Sequence, residues 1–317
     1  MTGALVRSVG LSTGAGNTFT VSGNSTTEAT LTRSGDGRYL VIGGYLSPIG
    51  QLNISNLTGV SRVVARVSSM AVVDTSTVFS DAFGQNSFRG ACSNDGTGYW
   101  GTGTGSSAGT RYIVHGATGT STNIYSASSN TRACDIYGGQ LWVSTGSGTS
   151  IPTDGGSRIY SLGALPMSAV TTPTYLPGMG NINPQSFALF DNNAAVAGLD
   201  LLYSSDTQTG GIRKYTFDGM VWTEVTQFNL NLNASDGGTS GATCLQTAAQ
   251  RIGADYYVLC VTSDVAPSPT GTNITGMANR VLRFIDVGGA ATTSPMGTTV
   301  YTAGPFEGLR GVAFSPQ

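Results

Sequence analysis

One short unit returns along this chain: an apolar strand, a tight turn built from Asp and Gly, and a second apolar strand. Its clearest copy runs through residues 29–45, where Asp36-Gly37 separates the two apolar runs. Asp-Gly between two β-type runs is among the strongest short signals for a β-hairpin, because both turn positions favour positive φ. Further copies, some of them looser, begin at Arg89, Arg132, Ser186 and Ala242, and the first strand alone returns at Arg310.

Between these hairpins lies an alternating strand that often carries Arg, followed by a Thr/Val-rich run, so the repeated module has four strands. No stretch between modules has the period of a helix of about 10 residues or more. Four short antiparallel strands repeated around an axis describe a β-propeller blade. Six first strands are present, those holding Leu31, Ala91, Ala133, Ala188, Thr243 and Val312. We therefore predict an all-β fold, a single six-bladed β-propeller domain over residues 1–317 with blades of about four antiparallel strands. A pair of β-sandwiches is the alternative, but it does not explain why one hairpin recurs.

The two ends of the sequence predict how the ring closes. Leu5–Val9 matches the third strand of the module, and Arg310–Ser315 matches its first strand. Sharing one blade between the two ends is the usual way in which a propeller removes exposed edges. That blade lacks a second strand, and we expect an upstream strand in preference to a three-stranded blade. If the edge is open, a partner or a second copy of the chain would fill it by strand addition.

The amino-acid composition disfavours some classes of function and favours one location. Gly, Thr and Ser make up nearly four in ten residues, only 10% are charged, and 14 Arg stand against the single Lys214. An acidic chain of pI about 5.3 without a basic run is a poor nucleic-acid partner. No apolar run is long enough to span a membrane. The first residues lack the features of a signal peptide, yet the Lys-poor, Ser/Thr-rich surface favours a processed chain that is secreted or displayed at the cell surface.

Four motifs resemble one group of proteins. They are Leu31–Leu40 with the following Gly43-Gly44-Tyr45, Asn86–Gly90, Tyr137–Ser144 and Leu309–Pro316. Together they are similar to the Gly/Thr-rich, propeller-like regions of large secreted bacterial proteins. The resemblance covers essentially the whole chain and implies an extracytoplasmic setting, but no reaction and no catalytic residues. In that group an extra apolar strand precedes the segment matching Leu5–Val9.

The four cysteines predict disulfides. Cys244 and Cys260 fall on the two strands of one predicted hairpin, and Cys92 and Cys134 fall on first strands of neighbouring blades. Both pairs are candidate bridges, with small buried hydrophobic residues as the alternative for all four. None of them forms the paired spacing of a zinc site, and the single His115 excludes sites with two or three His ligands.

Candidate binding residues lie where first strands begin. Arg89, Arg132 and Arg310 occupy near-equivalent positions, which a propeller places at the mouth of its central channel. Guanidinium groups that face one cavity can hold a carboxylate or phosphate bidentately. Acidic residues lie close by in the sequence, namely Glu28, Asp81, Asp135 and Glu307. The alternative is that these charges neutralise one another.

The main functional hypothesis is a binding or structural module that contacts glycans or other protein copies. The alternative is a propeller hydrolase acting at the channel mouth. A sialidase-like glycosidase would use an arginine triad with a Tyr nucleophile and a carboxylic acid. A lactonase-like enzyme would need calcium held by oxygen ligands. Otherwise we expect no cofactor.

Overall fold

The computed structural model describes residues 4–11, 18–23, 25–146, 157–180, 182–208, 210–230, 242–263, 279–304 and 307–317. The chain has the all-β propeller fold, with five blades. Regular structure in the described ranges consists of strands and of two short 3-10 helices, Ile54–Asn56 and Val287–Gly289. The residues form two compact units. The first is built mainly from Leu5–Ser150 and also takes in Tyr160–Thr174 and Ser315–Gln317; the second is built mainly from Tyr175–Phe314.

Blade one has a split innermost strand. Its strands are β1 (Phe19–Thr20), β2 (Leu31–Arg33), β3 (Tyr39–Leu46), β4 (Arg62–Ser68) and β5 (Val73–Phe79). Both β1 and β2 pair antiparallel with β3, one after the other, so the chain between them leaves the sheet and returns. A short strand from blade two, β9 (Thr118–Gly119), pairs parallel with β5 and covers the outer edge.

The other four blades each have four strands that neighbour one another in chain order. Blade two contains β6 (Phe88–Cys92), β7 (Gly98–Gly103), β8 (Gly109–Val114) and β10 (Thr122–Tyr125). Blade three contains β11 (Thr131–Tyr137), β12 (Gln140–Thr145), β13 (Ile159–Ser161) and β14 (Thr174–Tyr175). Blade four contains β15 (Pro184–Phe190), β16 (Leu201–Asp206), β17 (Ile212–Phe217) and β18 (Trp222–Phe228). Blade five contains β19 (Cys244–Ile252), β20 (Asp255–Thr262), β21 (Arg280–Asp286) and β22 (Thr298–Thr302).

The hairpin signature of the sequence forms the turn between the first and second strands of these blades. Gly37 and Gly96 have φ of +79° and +81°, a conformation that costs glycine little because it has no Cβ. In blade three the Gly138-Gly139 pair has positive φ at both positions. This is why the Asp-Gly and Gly-Gly signals identified the hairpins correctly.

In the first unit the core lies between blades one and two. Phe79, Phe83 and Phe88 are fully buried and contact one another, with ring centroids 5.1 to 6.2 Å apart. Gly43 of β3 lies against Phe88, where an added Cβ would come within 2.7 Å of the ring. Large aromatic side chains thus fill the space that glycine leaves on the neighbouring blade.

In the second unit the core lies between blades four and five. Tyr203, Phe228, Tyr256 and Phe284 are fully buried in one apolar cluster. Each of the two units therefore packs the inner face of one sheet against the next sheet, as expected for strands with alternating apolar residues.

The prediction of six blades is wrong. Neither Leu5–Val9 nor Arg310–Ser315 forms a strand, and Leu5 and Val6 are exposed. The last segment instead lies on blade five, where Val312 packs with Leu259 and Val261 on the face opposite the unit's main core. The Val312 amide donates to the Gln246 side chain at 3.0 Å, so its backbone is bound by a side chain and not by a neighbouring strand. Apolar alternation predicted a strand, but here it marks a segment that covers a sheet face.

Candidate functional site

Glu28 lies in the segment by which the chain leaves blade one between β1 and β2. It is 2% exposed, although glutamate is rarely buried without a partner. The next residue, Ala29, has φ of +59°, and the Thr30 amide then donates to the Arg89 carbonyl of blade two at 3.0 Å. The return of the chain to β2 therefore places a carboxyl group next to the first strand of blade two.

The carboxyl group of Glu28 is buried, and the hydrogen-bonding groups nearest to it are the side chains of Ser87 and Tyr45 and the backbone of Ser22. Burial raises its pKa above the ordinary value, and nearby Ser87 and Tyr45 together with the positive charge of Arg89 offset only part of this effect. No donor among the described residues forms a hydrogen bond of normal geometry with either carboxyl oxygen. A buried acceptor without a partner costs about 1–3 kcal/mol.

Arg62 and Tyr45 lie near Glu28 and contact each other. The Arg62 guanidinium donates to the carbonyls of Ser55 (3.0 Å), Asn86 (2.8 Å) and Val60. Its Cζ lies 5.2 Å from the centroid of the Tyr45 ring, a distance suited to a cation–π contact. Most of the hydrogen-bonding capacity of Arg62 is thus used to hold loops, and sequence analysis assigned it only to a strand.

Arg89 is the cation that acts electrostatically on Glu28, and not all of its hydrogen-bond donors are used. Nη1 donates to the Asn130 side chain, but the buried Nε has no acceptor among the described residues. Burial lowers the pKa of Arg89, and the electrostatic influence of Glu28 and, after it, of Tyr45 opposes that shift. Arg89 and Glu28 do not reach ion-pair distance, although each influences the pKa of the other. We name Glu28, Tyr45, Arg62 and Arg89 the Glu28 cluster.

Arg132 occupies the equivalent position on β11. Its carbonyl accepts a hydrogen bond from Thr102 of blade two at 2.7 Å. Its guanidinium lies so close over Gly146 that a Cβ there would collide with Nε and Cζ. Gly146 is therefore the residue that gives the Arg132 side chain its room.

Two of the predicted acidic residues have partners of their own. Asp81 accepts hydrogen bonds from Ser121 Oγ at 2.8 Å and its amide at 3.0 Å, and it forms an ion pair with Arg111 at 3.0 Å. In the second unit, Glu307 accepts from Tyr301 Oη at 2.7 Å and from the Gly304 amide at 2.6 Å. Arg310 belongs to the same unit as Glu307.

Asp135 has a strongly shifted pKa. Part of the residue is exposed, but the carboxyl group is surrounded by protein, and this burial raises its pKa from 3.8 to about 7. Tyr137 Oη donates to Oδ2 at 3.0 Å and the Ile136 amide donates to Oδ1 at 2.8 Å. Arg33 lowers the pKa electrostatically. These contacts place Asp135 with Arg33 and not with Glu28.

Both predicted disulfides are present. Cys92–Cys134 joins β6 to β11 with a Cα–Cα distance of 5.7 Å, and Cys244–Cys260 joins β19 to β20 at 5.6 Å. The first links blades two and three within the first unit, and the second links two strands of blade five. Thus no cysteine of the chain is a free thiol.

The single histidine lies between two blades of the first unit. Tyr99 Oη is 3.1 Å from His115 Nδ1, and His115 Nε2 is 3.5 Å from Asp74 Oδ2. Within the described part of the chain, no group of three or more His, Cys, Asp or Glu residues is arranged to hold a metal ion. The same residues include no helix with the length and apolar character needed to cross a lipid bilayer.

Comparison with known proteins gives similarity of fold only. No protein-family model matches this chain, and no curated protein sequence matches it. A chain from a structure of COPII on membranes, at the outer coat vertex, has a TM-score of 0.50 at 12% identity. That match covers 86% of this chain and 64% of that chain, so this protein spans less than two thirds of its length. The periplasmic gluconolactonase of Pseudomonas aeruginosa has a TM-score of 0.45 at 12% identity, covering 89% of this chain and 85% of that chain. An endo-arabinase from Bacteroides thetaiotaomicron has a TM-score of 0.38 at 12% identity, covering 90% and 84%.

Proposed function

We propose that this protein is a secreted or surface-displayed binding module that takes a glycan at the Glu28 cluster. The observation that carries the proposal is the unused hydrogen-bonding capacity of Glu28 and Arg89. Native proteins satisfy nearly all their buried polar groups, so two unsatisfied groups near each other indicate a place where a ligand supplies the missing partners.

The chemistry of the two side chains fits a sugar hydroxyl. A hydroxyl is both donor and acceptor, so it donates to the carboxylate of Glu28 and accepts from the guanidinium of Arg89. Part of the Arg89 side chain is exposed to solvent, whereas its Nε and the carboxyl oxygens of Glu28 lie beneath the surface. Arg132 begins blade three on β11 in the equivalent way and lies in the same unit, and we include it as a secondary contact in the proposal.

The two disulfides support the part of the proposal that places the protein outside the cytosol. Two disulfides in a chain of this kind persist in oxidising surroundings outside the cytosol. A Ser/Thr/Gly-rich surface with few charges suits contact with glycans or with other copies of the chain. Calcium is not needed for this mode of binding, and nothing in it involves nucleic acid.

The test is titration of the protein with neutral and acidic oligosaccharides by calorimetry. We expect Arg89→Gln to weaken binding about tenfold, since a hydrogen bond to a charged group is worth about 1.5–3 kcal/mol. Glu28→Gln should weaken it as well. The matched control is Arg251→Gln, because Arg251 is an exposed arginine of blade five that contacts the Tyr256 ring. Equal binding by all four proteins would contradict the proposal.

A sialidase-like glycosidase is the second candidate, and one arrangement favours it. Tyr45 lies beside Glu28 and two arginines, Arg62 and Arg89, and these are the residue types of that mechanism. The complete burial of Tyr45 and the loop-holding bonds of Arg62 favour the binding function instead. Release of a fluorogenic aglycone from a sialoside, lost in Glu28→Gln, would establish the enzyme.

A further inference from the structure

Methionine has a preferred place in this fold. Five methionines are described, and four of them lie in the connection between the third and fourth strands of their blades. They are Met70 in blade one, Met167 in blade three, Met220 in blade four and Met296 in blade five. Four of the five blades thus have a methionine in the same connection.

These four side chains face solvent. Their exposed fractions are 76% for Met70, 66% for Met167 and 84% for both Met220 and Met296. Met179 is only 3% exposed and serves as the internal comparison. Methionine is usually a buried residue, so four exposed ones at one repeat position are not explained by core packing.

Local contacts hold the backbone beside these methionines independently of the side chain. The Ala71 amide donates to Ser68 at 2.8 Å, next to Met70. The Met220 amide donates to the Asp218 carboxylate at 2.8 Å. Beside Met167, the Pro166 carbonyl accepts from Trp100 Nε1 at 2.7 Å. A chemical change at the thioether would therefore leave these turns in place.

The rest of the surface offers few other soft nucleophiles. All four cysteines are in disulfides, and the only lysine, Lys214, is 1% exposed. In the described part of the chain, the thioethers of these four residues are accordingly the most oxidisable groups that are open to solvent.

We propose that Met70, Met167, Met220 and Met296 are sacrificial oxidation sites for peroxides and hypohalous acids. With hydrogen peroxide, a lone pair on sulfur attacks one oxygen, the O–O bond breaks, and a sulfoxide and water are formed. With a hypohalous acid, sulfur attacks the halogen and hydroxide leaves; water then adds to sulfur, the halide and protons are released, and the same sulfoxide is formed. In both cases sulfur is oxidised by two electrons and the oxidant is reduced. Because the sulfoxide remains in solvent, the core keeps its packing, whereas oxidation of a buried methionine disrupts it.

The test is treatment of the full chain with hydrogen peroxide, followed by peptide mass mapping and thermal unfolding. We expect each of the four to gain about 16 Da at least about tenfold faster than Met179, with an unchanged Tm. Equal rates at Met179, or loss of the folded state when only the four are oxidised, would overturn the proposal.

A substituted protein separates protection from simple exposure. The variant with Met70→Leu, Met167→Leu, Met220→Leu and Met296→Leu should unfold at about half the hypochlorite dose that the wild type tolerates, because oxidant then reaches aromatic and disulfide groups. Met179→Leu is the matched control and should behave as the wild type. If the fourfold variant tolerates the same dose as the wild type, the sites protect nothing and the proposal fails.

Discussion

Blade five and blade one each bury a carboxyl group, and the two groups differ in the number of hydrogen-bond donors that contact them. Asp286 in blade five accepts from Lys214 Nζ at 2.7 Å, from Tyr203 Oη at 2.6 Å and from the Ala291 amide at 2.8 Å. Lys214 completes its own set with the carbonyls of Gly289 and Ala291, at 2.7 and 2.9 Å. Glu28 in blade one has Arg89 near it, but no described residue forms a hydrogen bond of normal geometry with its carboxyl oxygens.

The difference shows what each carboxylate is for. A buried charge is tolerated when a counter-charge and hydrogen bonds satisfy it, so Asp286 and Lys214 fasten strand β17 of blade four to blade five. A buried carboxyl group without such hydrogen bonds destabilises the fold, and an unsatisfied buried group of this kind indicates a candidate ligand site. On this comparison, blade five is stabilised by its ion pair, whereas blade one carries a cost at the proposed site.

The largest effect is expected from breaking the satisfied pair. Lys214→Met should lower the free energy of unfolding by about 3–5 kcal/mol, because it leaves the Asp286 charge buried without a cation. Urea denaturation followed by tryptophan fluorescence measures the change. The double variant Lys214→Met with Asp286→Asn should lose much less than the single variant. If the two lose the same amount, the pair is not the source of the stability.

Each of the two units contains one disulfide, so the stability that each disulfide contributes can be compared between the units. Cys92 and Cys134 are 42 residues apart, and Cys244 and Cys260 are 16 apart. Because loop-closure entropy grows with loop length, replacing the first pair by Ala should cost roughly 4 kcal/mol and the second roughly 3 kcal/mol. Calorimetric unfolding of the two double variants measures this. A larger loss for the second pair would show that strain or packing, and not loop length, determines its contribution.

The repeated turn made much of this fold predictable. Asp36-Gly37 and its copies identified the first hairpins because turn chemistry is local and needs no knowledge of the partner strands. The same reasoning placed Cys244 and Cys260 on the two strands of one hairpin, and it placed Cys92 and Cys134 on the first strands of neighbouring blades. It also made Arg89 and Glu28 candidates, since both lie where first strands begin, and their ligand-binding role stays a prediction.

What the sequence did not predict depends on contacts between distant residues. Arg310–Ser315 has the alternation of a strand, yet Val312 covers a face of blade five, and no local signal distinguishes these outcomes. The short strand β1 follows an irregular segment, so the split of the inner strand of blade one was not expected. Lys214 is a lone lysine on an alternating strand, and only the fold places it next to Asp286, 72 residues further on.

Asp135 extends the comparison to a third buried carboxyl group, and its pH dependence is measurable. Its pKa is 3.8 in an ordinary setting and about 7 in the fold, so between these values the unfolded chain releases a proton that the folded protein keeps. The stability therefore falls as the pH rises through this window. Asp135→Asn should unfold like the wild type near pH 3 and should be more stable near pH 8 by up to about 4 kcal/mol. Asp81→Asn, which loses the Arg111 ion pair, is the matched control and should be less stable near pH 8.

The smallest change in the free energy of unfolding is expected at Glu28 in blade one. Its sign is opposite to the change expected at Asp286 in blade five, so it distinguishes the two buried carboxyl groups most clearly. Burial raises the pKa of Glu28 above 4.5, so the neutral form is favoured in the fold and stability is lost as the pH rises past that value. Glu28→Gln removes the ionisation and should raise the free energy of unfolding by about 1 kcal/mol near pH 8, with little change near pH 4. Asp286→Asn should lower it at pH 8, because it removes the partner of Lys214. A loss of stability in Glu28→Gln would mean that the carboxylate is satisfied within the protein, and it would remove the physical basis of the proposed site. A gain in stability accompanied by weaker glycan binding would instead show that the fold carries an unsatisfied carboxylate for the benefit of its ligand.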